Sequence, residues 1–71
     1  MRQLLKTDID ANTVKIEIKE NDKLIVEDVY PSKWAFENNS TNQLNGLLSA
    51  AGQPELTDAE KSQLNTWINE G

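Results

Sequence analysis

Hydrophobic positions along the chain change period about halfway, and the change divides it into a sheet-forming half and a helix-forming half. Val14-Lys15-Ile16-Glu17-Ile18-Lys19 alternates apolar and charged residues, and its apolar members are all β-branched. That pattern specifies a strand with one buried face. Glu20-Asn21-Asp22-Lys23 follows, rich in residues that tolerate a tight turn. The run from Lys23 to Tyr30 then carries Leu24, Ile25, Val26 and Val29, so the two segments read as an antiparallel hairpin. A loop of three residues, Glu20 to Asp22, pairs Ile18 with Leu24 and Ile16 with Val26, and sets Lys15 opposite Glu27 on the other face. A two-residue loop sets Ile16 against Glu27, so the longer loop is the expected one. Pro31 ends the second strand because it has no N–H to donate.

Two strands alone are marginal in water, so a third is expected from Gln3 to Ile9, with Leu5 and Ile9 on one face and Leu4 on the other. A turn over Asp10-Ala11-Asn12-Thr13 joins it to Val14.

Beyond Pro31 the period lengthens. Ser32 to Asn39 reads either as a short helical turn or as an irregular crossover, with Trp34 and Phe36 expected to roof the core. Ser40 or Thr41 is a suitable N-cap for a helix to about Ala51, along which Leu44, Leu47, Leu48 and Ala51 form one stripe. Gly52 and Pro54 stop it. Thr57-Asp58-Ala59-Glu60 is a capping box that opens a second helix towards Asn69, its inward face Leu64, Trp67 and Ile68. That stripe is thin and leans heavily on Trp67. The expected fold is α+β: a small antiparallel meander of two or three strands followed by, and packed against, a two-helix hairpin, in the order β-β-β-α-α. It forms one domain over residues 1–71.

Composition narrows the chemistry. The 71 residues contain no cysteine and no histidine. Disulfides and Cys-rich zinc sites are thereby excluded, and so are the commonest transition-metal ligand and the usual neutral-pH base. Without histidine, Ser32, Ser40, Ser49 and Ser62 cannot join a His-based triad. Gly46, Gly52 and Gly71 lie too far apart for a phosphate-binding loop. Asp8-Ile9-Asp10-Ala11-Asn12 matches the opening of a calcium-binding EF-hand loop, but Thr13 replaces the required glycine and Lys19 the bidentate glutamate. An Asx-rich turn accounts for the same residues. Asp58 and Glu60 suit the positive end of a helix dipole, and a domain of this size has little room for the dry cleft that carboxylate catalysis needs. No catalytic residue, metal or cofactor is expected.

The net charge is −5. Up to Lys33, seven acidic and six basic side chains nearly balance, whereas Glu37, Glu55, Asp58, Glu60 and Glu70 afterwards face only Lys61. Direct nucleic-acid binding is disfavoured by this charge, and the strands offer Tyr30 as their one stacking aromatic. No apolar stretch approaches a membrane span and the first residues lack a signal-peptide run, so a cytoplasmic protein is expected. The expected function is a non-enzymatic protein-interaction module: an accessory, adaptor or regulatory protein that binds another protein or a second copy of itself. Trp34, Phe36 and Trp67 are its candidate anchors. The alternative is an acidic inhibitor of the phage or mobile-element type, presenting Glu37, Glu55, Asp58, Glu60 and Glu70 at phosphate-like positions to a nucleic-acid-binding protein.

Overall fold

A computed structural model describes residues 1–70. Three strands precede two helices: β1 (Arg2–Asp8), β2 (Val14–Glu20), β3 (Lys23–Tyr30), α1 (Lys33–Ala50) and α2 (Asp58–Glu70). The sheet is an antiparallel meander in the order β1-β2-β3, and the helices cover one of its faces. Leu4, Ile16, Ile18 and Tyr30 point from the sheet into a core closed by Phe36, Leu44 and Leu48 of α1, Leu56 of the interhelical loop and Leu64 of α2. The α+β meander with its helical pair is therefore the fold.

The hairpin register differs from the expected one. Asn21 and Asp22 both adopt positive φ, 53° and 66°, and form a two-residue turn flanked by the pair Glu20 and Lys23. Two left-handed residues match the right-handed strand twist, as in a type I′ turn. A β-bulge then shifts the pairing between Ile18 and Lys19, so that Ile18 faces Val26, Ile16 faces Asp28, and Lys15 faces Val29 rather than Glu27. The bulge resolves a conflict in the sequence. Leu24-Ile25-Val26 is three apolar residues in a row, and regular pleating would turn Ile25 away from Val26. With the extra residue, both pack against the core while Leu24 stays exposed.

The first helix also begins earlier than expected. Ser32 has extended backbone and its Oγ accepts the Ala35 N–H at 3.1 Å, so Ser32, not Ser40 or Thr41, is the N-cap. Asn38-Asn39-Ser40-Thr41 is a poor helix-forming run. It is carried through because Phe36, Ser40, Leu44 and Leu48 fall four apart and bury one continuous stripe. At the other end Gly52 takes φ of 73°, the Gln53 N–H reaches the Leu48 carbonyl at 2.8 Å, and the Gly52 N–H reaches that of Ser49. This is a Schellman closure. Phe36 joins the core, its ring 5.6 Å from that of Tyr30, but Trp34 does not roof it: 67% of its surface is exposed.

Candidate functional site

The two ends of the helix-covered layer are built differently. At one end α2 is fastened to β1. The Arg2 guanidinium donates from Nε and Nη2 to the Glu60 carboxylate at 3.2 and 2.6 Å, and its remaining donors reach the backbone carbonyls of Pro54 and Glu55. Both side chains are nearly buried, at 8% and 11% exposure. Glu60 is held from its own helix as well. Its Oε1 accepts the Thr57 N–H at 2.9 Å, while the Glu60 N–H donates to Thr57 Oγ1 at 3.2 Å, completing the capping box. Asn45 Oδ1 accepts the Leu56 N–H at 2.8 Å and ties the interhelical loop to α1. A depression of about 630 Å³ around this latch is lined by Arg2, Pro54, Thr57, Ala59 and Glu60, among others. The Arg2 guanidinium, the strongest donor beside Glu60, is engaged within the chain.

The opposite end is open. Away from the latch no ion pair joins α2 to β1 among the described residues. A groove of about 500 Å³ remains between the β1–β2 turn, the first turn of α1 and the last turn of α2. Val14, Phe36, Trp67 and Ile68 supply its apolar surface. Phe36 is buried, whereas Trp67 and Ile68 are half-buried and present one face to the groove. Lys6, Asp8, Asp10, Lys33 and Glu70 stand at its margin. Lys6 Nζ lies 3.2 Å from Asp8 Oδ1. Asp10 Oδ1 accepts the N–H groups of Asn12 and Thr13 at 2.8 and 2.9 Å, which makes the turn an Asx turn and holds the Asp10 carboxyl below its ordinary pKa.

Of the residues singled out from the sequence, Phe36, Trp67 and Glu70 are brought together here. Trp34 lies on the first turn of α1 beside Lys33 but does not line the groove. Glu55 and Asp58 are exposed at the latched end, and Glu60 is buried within the latch itself. The acidic series is thus split between the two ends, with one member withdrawn from the surface. Asp10, Ala11 and Asn12 form the expected Asx turn between β1 and β2, and with Asp8 they also line the groove. Their place in the same groove as Trp67 is a tertiary relationship that no local pattern displays. Among the described residues no three acidic side chains converge as a metal-binding set, and no helix is long and apolar enough to cross a membrane.

No protein-family model, curated protein or solved structure matches the chain.

Proposed function

We propose that the chain is a non-enzymatic protein-interaction module, an accessory, adaptor or regulatory protein, whose contact surface is the open end of the fold. The observation that carries this reading is the groove floor: Trp67 and Ile68 are left half-exposed beside Phe36 and Val14, in a cleft of the size that usually accommodates a ligand. Tryptophan in such a setting is a favoured anchor for a partner, because it contributes large contact area at low entropic cost. Exposed Trp34 on the neighbouring turn widens the surface available to a macromolecule. The chemistry of the margin suits binding better than turnover: it offers lysines and carboxylates, with neither imidazole nor thiol in the chain. This reading needs no cofactor and no nucleic acid.

The test is affinity capture from cells that produce the protein, comparing the native chain with the Ala11→Trp variant. Ala11 is exposed on the groove margin, so a bulky ring there obstructs the cleft without touching the core. A protein retained by the native chain and lost with the variant supports the reading. Equal retention by both, or turnover of a substrate by the purified chain, overturns it.

A further inference from the structure

We infer that the groove takes a basic peptide segment of another protein, one bulky apolar side chain seated on Trp67 and Ile68 and a lysine or arginine beside it reaching the carboxylates of the margin; this rests on the protein-binding reading above. The occupant follows from how charge is distributed around the cleft. Asp8 and Asp10 approach from the β1–β2 turn and Glu70 from the end of α2, against Lys6 and Lys33. Lys6 is engaged by Asp8, whose side chain nonetheless keeps 68% of its surface in solvent. Asp10 is fixed in place by two backbone N–H groups, so its position is set before a partner arrives. Glu70 has no ion-pair partner among the described residues.

Negative charge therefore prevails on the turn and α2 sides, while Lys33 stands on the α1 side and gives the cleft a polarity. A cation carried on the peptide is drawn towards Asp10 and Glu70 and repelled from Lys33, which orients the segment. The net charge of −5 acts in the same sense at longer range, favouring encounter with basic surfaces. The apolar anchor supplies affinity, and the cation supplies direction and selectivity. An acidic or neutral segment could fill the same floor but would lack that second contribution.

The experiment is selection of a displayed random peptide library on the immobilised full chain, followed by titration of the enriched peptides through tryptophan fluorescence. Enriched peptides are expected to share a bulky apolar residue with Lys or Arg within about four positions, one helical turn. The double variant Asp10→Asn/Glu70→Gln is expected to weaken binding by about tenfold or more, and rising salt to weaken binding to the native chain. Asn at position 10 retains an oxygen for the Asx turn, and an unchanged circular dichroism spectrum verifies the fold. Enrichment of neutral or acidic peptides that Ala11→Trp blocks but the charge variant does not would overturn the basic-peptide inference while leaving the protein-binding reading standing. Peptides indifferent to Ala11→Trp, or no enrichment on a chain that stays monomeric at all concentrations, would overturn both. Concentration-dependent dimerisation abolished by Ala11→Trp, with no peptide enriched, would replace the peptide by a second copy of the chain.

Discussion

Arg2 and Glu60, 58 positions apart, form a two-pronged ion pair that joins the first strand to the first turn of the last helix. The pair also closes the interhelical loop, because the same guanidinium holds the carbonyls of Pro54 and Glu55. Removing Arg2 leaves the Glu60 carboxylate nearly buried with only the Thr57 N–H as a partner, which costs about 3 kcal/mol. Arg2→Ala is expected to lower the unfolding free energy by that amount, seen as a lower urea midpoint at an unchanged m-value. Arg2→Lys should recover less than half, since an ammonium cannot span two carboxylate oxygens and two carbonyls together. Equal stability of Arg2→Ala and the native chain would show that the contact contributes nothing.

Tyr30 Oη and Ser40 Oγ are buried without a hydrogen-bond partner among the described residues. Deleting an unpaired buried hydroxyl removes a desolvation cost, so Ser40→Ala is expected to raise stability by about 1 kcal/mol, roughly 4–8 °C in Tm, helped by the higher helix propensity of alanine. Tyr30→Phe should gain less, because the phenol lies near the Asp28 carboxylate, which can accept its proton in a hydrogen bond. Differential scanning calorimetry would show a fall in Tm instead if these hydroxyls are satisfied in solution.

Burial, aided by the nearby Asp28 carboxylate, raises the Tyr30 phenol pKa above its ordinary value. Above about pH 10 the unfolded phenol releases its proton while the folded one retains it. The folded state then binds more protons, so this group's stabilising contribution is complete below pH 10 and declines as pH rises further. Because Tyr30 is the only tyrosine, a near-ultraviolet absorbance titration reads it directly. Ionisation is expected to coincide with alkaline unfolding; a phenol that titrates near pH 10 in the folded protein would contradict the burial.

Glu17 and Glu27 face each other across β2 and β3 on the uncovered side of the sheet, with Lys15 3.9 Å from Glu17. Like charges directly opposite are destabilising. Glu27→Lys converts the pair into an attractive one and is expected to add about 0.5–1 kcal/mol in a chemical-denaturation series. The gain should shrink at high salt.

The two left-handed turns respond oppositely to substitution. Gly52→Ala meets no atom within 4 Å, so its expected cost of about 1 kcal/mol is purely backbone strain at a φ of 73°. Asp22→Gly relaxes the second residue of the hairpin turn and is expected to raise Tm by a few degrees at most. Thermal melts of the two variants would separate backbone strain from contact effects.

The legible parts of the fold were those governed by local periodicity. The alternation from Val14 to Lys19, the stop at Gly52 and the capping box at Thr57 each appear in the structure as local chemistry implies. The hairpin register was not legible because two corrections act together. A two-residue turn taken alone places Ile16 against Glu27, and only the bulge beyond it restores sensible faces. Likewise Asn38 to Thr41 reads as a break on propensity, yet burial of Phe36 and Leu44 on either side carries the helix across it. Within the candidate site, Trp34 and Trp67 have similar local surroundings in sequence, and only the packing distinguishes the exposed one from the groove wall. The Arg2–Glu60 contact had no signature at all, since neither residue carries a local mark of its distant partner.

Helix α2 enters the core fully through Leu64 alone among its apolar residues, with the Arg2 contact at its start and half-buried Trp67 and Ile68 near its finish. Its backbone amides should therefore exchange with deuterium in a gradient, slowest one turn after Glu60 and fastest towards Glu70. The helix would fray from the groove inward, so the wall that receives a partner is also the least protected stretch of secondary structure. A bound segment that quenched this fraying would register as slowed exchange at Trp67 and Ile68, well before any change reached the sheet.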